Sequence, residues 1–148
     1  SRQSSTRIRR ASASPYGNLR IAIANTCLHW KIMSVWKRIR LELGSTSAFP
    51  SGSVSRGYLI QLPLDEEDRI DGTALALKPH RATVRRYWST EPDESGLIIP
   101  VEGGWTMRCS RGPDRALLLG GLPIWLGEHV SILEPDGGVL PFRIAAIR

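Results

Sequence analysis

Apolar and polar residues alternate along much of this chain in short runs that end at glycine, proline or clustered polar residues. The clearest run covers residues 35–43. One of its faces holds four apolar residues and Lys37, and the other holds Trp36, Arg38, Arg40 and Glu42. A period of two is typical of a β-strand that packs one face on a core and exposes the other. The pattern therefore predicts an antiparallel strand over residues 35–43.

Similar runs, bounded by turn residues, predict further strands. They cover residues 57–64, 81–88, 97–102, 105–109, 116–126 (a strand followed by a turn), 128–133 and 139–147. Between them, Gly103-Gly104 predicts the two-residue turn of a hairpin, and residues 134–138 predict a second hairpin. We expect a loop over residues 44–57 and a turn over residues 91–96. Proline cannot donate to a strand ladder, so Pro63 and Pro100 indicate a strand end or an edge strand.

One short helix is predicted after an acidic segment, residues 65–71. This segment does not match a calcium-binding loop, because Arg69 and Ile70 stand where that loop needs a ligand and a glycine. We expect a solvated turn instead. Asp71 can cap the following helix by accepting a backbone N–H. Residues 73–78 favour a helix, and Pro79 ends it.

These elements predict a mainly β (or α+β) fold of about seven short antiparallel strands with one short helix. A small barrel and a sandwich both fit this pattern. The chain length of 148 residues suits a single domain of ordinary size.

Charge divides the chain into two parts. Six of the 20 basic residues and none of the 14 acidic ones lie in residues 1–32, which leaves residues 33–148 with 14 of each. Three interpretations of the basic segment stay open: a disordered arm that touches phosphates, a targeting segment, or an extension outside the native protein. Because the charge changes at Met33, a plausible start, we expect one β-rich domain over residues 33–148.

The sequence contains no cofactor or metal motif. There is no Cys-x-x-Cys, no His-x-x-x-His and no phosphate-binding loop, so we expect neither a metal nor a cofactor. Cys109 with His80 or His129 leaves a cysteine-dependent enzyme as a remote alternative. No apolar run is long enough to cross a membrane as a helix.

The strongest candidate site is an arginine-aromatic patch in residues 81–88. Arginines can pair with phosphates and stack on bases, and small barrels bind single strands on such faces. The candidate nucleic-acid-binding residues are Arg81, Arg85, Arg86 and Trp88. In a strand, however, Val84, Arg86 and Trp88 share one face while Thr83, Arg85 and Tyr87 share the other. Acidic residues 91–94 follow, so structural ion pairing is a competing interpretation.

Residues 57–147 resemble a family of short, uncharacterised bacterial β-rich proteins. The resemblance rests on residues 62–65, 85–88 with 91–93, 104–105, 127–130 and 141–143. No activity is assigned to that family, so the resemblance implies only a bacterial cytoplasmic setting and a domain that starts near Met33.

From the residues, we expect a non-enzymatic module that binds a protein partner. Five tryptophans and exposed strand edges offer anchors for an interface. Single-stranded nucleic-acid binding through the arginine-aromatic patch is the alternative.

Overall fold

The computed structural model of the chain describes residues 34–148, apart from residue 120. The predictions made for residues 1–32 lie outside this part. Within it are one α-helix, α1 (Gly72–Leu77), a 3-10 helix (Pro79–Arg81) and eight strands. The strands are β1 (Val35–Leu43), β2 (Ser53–Leu64), β3 (Thr83–Trp88), β4 (Glu91–Val101), β5 (Gly104–Cys109), β6 (Arg115–Leu118), β7 (His129–Leu133) and β8 (Val139–Ile147).

The strands form a closed antiparallel barrel. Each strand pairs with the next along the chain, and β8 returns to pair with β1 from Ile39↔Ile147 to Leu43↔Phe142. The prediction of a β-rich fold with one short helix is confirmed, and of the two expected architectures the barrel is observed. No described helix has the length and apolar character needed to cross a membrane.

The barrel interior is filled by the inward side of the alternating strands. Ile39, Leu41 and Leu43 from β1 are at most 4% exposed, as the alternation predicts. On β2, Tyr58, Ile60 and Leu62 face the same core and are likewise buried. An interior void among the aliphatic side chains measures only about 10 Å³. Side chains rather than a ligand therefore fill this interior region.

The connection from β2 to β3 closes one end of the barrel. The Asp65 carboxylate accepts the backbone N–H groups of Glu67 and Arg69, which confirms the predicted turn. Asp71 caps α1 as predicted, because its side chain accepts the N–H of Ala74 at 3.1 Å. The helix then places Leu75, 1% exposed, against the core.

The prediction of a turn over residues 91–96 was wrong, because these residues form the first half of β4. The pairs Trp88↔Glu91 and Arg86↔Glu94 leave Pro92 and Asp93 opposite a single residue of β3. Such a bulge accommodates Pro92, which has no N–H for the ladder. The connecting turn is therefore confined to residues 89–90.

Several other expectations for the strands also differ from the structure, and β3 begins at Thr83 rather than at residue 81. The loop after β1 is shorter than predicted, since β2 begins at Ser53. The hairpin turn lies at Glu102 and Gly103, with Gly103 at φ +82°, so Gly104 already pairs with Val101. β4 is not an edge strand, because it pairs with both β3 and β5. At Pro100, however, only β5 is paired, and the missing N–H costs nothing there.

Gly96→Ala should strongly destabilise the barrel. Gly96 pairs with β3 and β5 at once, and a Cβ there would lie 2.0 Å from the Arg108 carbonyl oxygen. Because a paired backbone cannot move aside, we expect a loss of about 3 kcal/mol in the free energy of unfolding. Chemical denaturation measures it. Gly104→Ala is the matched control, since a Cβ there meets no atom within 4 Å. Equal stability of the two variants would contradict the register.

Candidate functional site

Two of the four predicted nucleic-acid-binding residues, Arg86 and Trp88, lie on the inward face of β3. The Arg86 side chain is 5% exposed and donates to Glu91 Oε1 at 2.8 Å. Its guanidinium carbon lies 4.3 Å from the centre of the Trp88 ring, which itself packs edge-on against Phe142. The competing expectation of ion pairing with residues 91–94 is therefore what the structure shows for Arg86.

Arg86 belongs to an interior ion cluster at the end of the barrel opposite α1. The other charged members are Glu94, Arg115, Glu134 and, at the open side, Glu91, whose side chain is 48% exposed. They come from β4, from β6 and from the turn after β7. Arg115 Nε lies 3.2 Å from Glu134 Oε1, and Arg115 Nη1 lies 3.8 Å from Glu94 Oε1. The Tyr58 hydroxyl donates to Glu134 Oε2 at 3.4 Å. The cluster thus closes this end with charge, as α1 closes the other with apolar side chains.

Cys109 lies beside this cluster, inside the barrel. Burial first, and then the nearby Glu94 carboxylate, raise the pKa of the Cys109 thiol. A reactive cysteine needs the opposite shift, since the thiolate is the nucleophile. His80 and His129 are both exposed, whereas Cys109 is buried. In the described part of the chain, no three His, Cys, Asp or Glu side chains are placed to hold a metal ion.

The other two predicted residues, Arg81 and Arg85, are turned away from the interior. Arg85 lies at an open groove of about 600 Å³ on the outer surface of β1, β2 and β3. Three more arginines line the same groove: Arg38, Arg40 and Arg148. We call these four arginines the basic face. Leu59 and Gln61 of β2 lie between them on the floor of the groove.

Two aromatic rings stack on arginines, one within the basic face and one next to it. The Arg40 guanidinium lies 4.9 Å from the Tyr87 ring centre, and the Tyr87 hydroxyl donates to the Leu41 carbonyl at 3.2 Å. Gly57 makes room for this ring, because a Cβ there would lie 2.7 Å from the Tyr87 oxygen. At the neighbouring margin, the Arg81 guanidinium lies 4.6 Å from the Trp36 ring centre.

A second groove, of about 630 Å³, lies on the opposite side of the barrel, where β4, β5 and β6 meet the 65–71 turn. We call it the apolar groove. Its apolar lining includes Ile70, Val101, Trp105, Leu118, Leu119 and Leu122. Val101, Leu118 and Leu122 are 46%, 45% and 66% exposed. Exposed aliphatic side chains are therefore grouped on one concave surface of the barrel.

Sequence reasoning found one of the four arginines of the basic face, Arg85, and missed the other three. The polar face of β1 was visible in the alternation, but nothing local shows that β1 lies between β8 and β2, with Leu59 separating Arg40 from Arg85. The apolar groove was missed because its walls come from segments far apart in the chain. Comparison of the chain with protein-family models, curated proteins and solved structures found no match.

Arg115→Met should destabilise the protein far more than Arg108→Met. Both arginines bind a carboxylate at close to 3 Å, but Arg115 is 10% exposed and Arg108 is 57% exposed. Removing Arg115 leaves the largely buried Glu134 carboxylate without its cation, and it takes one of two cations from Glu94, which also lies 3.9 Å from Arg86. This loss should cost about 3 kcal/mol. Arg108→Met should change the free energy of unfolding little, because water screens its pair. Equal losses in urea denaturation would contradict the buried cluster.

Tyr58 should make the protein sensitive to alkaline pH. Burial, with Glu134 adding to it, raises the pKa of Tyr58 well above its ordinary value of 10.0. Below pH 10 the hydroxyl is neutral in both states, so its contribution is complete. Above it, only the unfolded chain ionises, and the contribution is lost as pH rises, by about 1.4 kcal/mol per pH unit. The free energy of unfolding should therefore fall more steeply in the wild type than in Tyr58→Phe. Parallel curves would be the contrary result.

Proposed function

We propose that this domain is a non-enzymatic protein-interaction module and that the apolar groove receives the partner. The observation that supports this is the concentration of exposed aliphatic side chains on one concave surface. Beyond the groove itself, Trp125 and Leu126 are 53% and 65% exposed in the segment that follows Leu122. Large apolar side chains around a depression are what a partner's side chains can bury.

The walls of the apolar groove are held in place. Arg69 Nε donates to the carbonyl of Gly121 at 2.9 Å, and the Ile124 N–H donates to the carbonyl of Asp68 at 2.8 Å. The Trp125 indole N–H donates to the Asp68 carboxylate at 3.2 Å. These bonds tie the 121–125 segment to the 65–71 turn. A groove that is formed before the partner arrives loses less conformational entropy on binding.

Charge around the apolar groove indicates the chemistry of the partner. Glu102 lines the groove, and four consecutive acidic residues, 65–68, precede the lining residue Arg69. The positive charge of Arg69 is already engaged, since its Nη1 lies 3.0 Å from Glu67 Oε1. We therefore propose a partner segment with apolar side chains flanked by lysine or arginine. A bacterial cytoplasmic setting, as the resemblance implies, is part of this proposal.

Selection from a phage-displayed random peptide library on the full chain tests the proposal. We expect the selected peptides to share apolar residues next to lysine or arginine. A selected peptide, synthesised with a fluorescent label, should bind the Leu122→Gln variant about tenfold more weakly than it binds the wild type. The reason is that burial of one leucine side chain contributes between about 1.5 and 3 kcal/mol. Glu102→Gln should weaken peptide binding more at low salt than at high salt, because salt screens the attraction between Glu102 and a basic residue of the peptide.

Val54→Gln is the matched control, because Val54 is 69% exposed on β2, away from the groove. It should bind the peptide like the wild type. Failure to enrich any peptide, or equal binding to Leu122→Gln and the wild type, would refute the apolar groove as the docking site. Single-stranded nucleic-acid binding, the alternative function, concerns a different surface.

A further inference from the structure

The arginines of the basic face form a row across neighbouring strands. Arg148 and Arg38 pair through their backbones, with N–O distances of 2.8 and 2.9 Å. Arg40 is two residues from Arg38 on the same side of β1, about 7 Å away along the strand. Arg85 stands on the far side of Leu59, its register partner on β2. A row of separate cations suits a ligand with several anionic groups better than a single anion.

Few carboxylates neutralise this row. Glu42 lies 3.0 Å from Arg40 and is shared with Arg143, at 3.4 Å. Arg85 Nε lies 3.8 Å from Asp93, beyond hydrogen-bond distance, and more than half of its side chain is exposed. Among the described residues, no ion pair within 4.0 Å involves Arg38, which is exposed. Residues 33–148 are neutral as a whole, so the basic face exists because charge is segregated.

The floor of the groove and the rings at its margins suit a base as well as a phosphate. Leu59 and Thr83 offer a surface between the arginines, and Gln61 and Ser95 offer polar groups. The Tyr87 ring stacks on the guanidinium of Arg40, and the Trp36 ring stacks on that of Arg81. Because stacking already restricts these side chains, they lose less conformational entropy when a ligand binds. Guanidinium planes stack on unpaired bases, and such bases occur in single strands.

We propose that the basic face binds single-stranded nucleic acid, with Arg38, Arg40 and Arg85 pairing to phosphates. Arg81, from the sequence-predicted set, adds a stacked cation at the margin. Arg86 takes no part, because it belongs to the interior ion cluster. Trp88 takes no part either, because its ring packs against Arg86 and Phe142. The groove volume of about 600 Å³ is within the range of small-molecule sites, so it would hold a short stretch of nucleotides.

Anisotropy of a short fluorescent oligothymidylate, titrated with the full chain over a series of salt concentrations, tests this proposal. Arg38→Ala with Arg85→Ala should weaken binding at least about tenfold. Loss of two phosphate contacts should also reduce the slope of log affinity against log salt by about 1.4. Both side chains are exposed, so the variant should fold, and circular dichroism checks this.

Arg108→Ala with Arg111→Ala is the matched control. This double variant removes the same charge as the first one. Each of the two double variants also removes one arginine that faces an aspartate: Arg85 faces Asp93, and Arg108 faces Asp114. The basic residues of segment 1–32 are the same in every variant, so their contribution cancels. Equal weakening in both double variants, or none in either, would overturn the proposal. Inorganic polyphosphate that competes as well as unlabelled oligothymidylate at equal phosphate concentration would overturn the assignment to nucleic acid. None of these outcomes bears on the apolar groove.

Discussion

The pairing of β1 with β8 is the constraint on which the rest of this structure depends. Once β8 returns to β1, every strand has two neighbours. A closed barrel divides the side chains of each strand into an inward and an outward set. The inward set must fill a small space, so the described core is almost solid. The outward set and the two ends therefore provide the surface that a ligand can reach.

The two ends of the barrel are closed by different physics. At one end, α1 buries Leu75 and the turn before it is held by hydrogen bonds to Asp65. At the other, two arginines and three glutamates meet around Tyr58. Three buried atoms there, Arg86 Nε, Glu94 Oε1 and Arg115 Nη1, have no hydrogen-bond partner in the described structure. Such a cluster is costly to break but adds modest net stability, so it favours one arrangement of strand ends over others.

Much of this fold could be predicted because the signals are local. The alternation in β1 predicted its bounds and its inward residues, and Asp71 indicated the start of the helix that it caps. The turn prediction for residues 91–96 was wrong because glutamate, proline and glycine favour a turn locally. In the fold, Arg86 on the neighbouring strand pairs with Glu91 and Glu94, and β4 extends over these residues. The choice between barrel and sandwich depends on β1 meeting β8, a pairing between the two ends of the domain that no local pattern reports.

The candidate site shows the same limit more sharply. Arg85 and Arg86 are adjacent and chemically identical in the sequence, yet one lines an open groove and the other is buried among carboxylates. A strand places neighbours on opposite faces, but only the closed fold decides which face is inside. Charge and apolar surface are then segregated on opposite sides of one neutral barrel, so the two ligands that we propose would not compete for one surface.

We propose that ligands bind to the outer wall of the filled barrel and do not enter its interior. Two-dimensional NMR of the isotope-labelled full chain, titrated with oligothymidylate, tests this most directly. We expect chemical-shift changes at the outward residues Arg38, Gln61 and Arg85, and no changes at the inward residues Tyr58, Arg86 and Cys109. The largest changes at Tyr58, Arg86 and Cys109 would contradict it, because they would place the ligand inside the barrel.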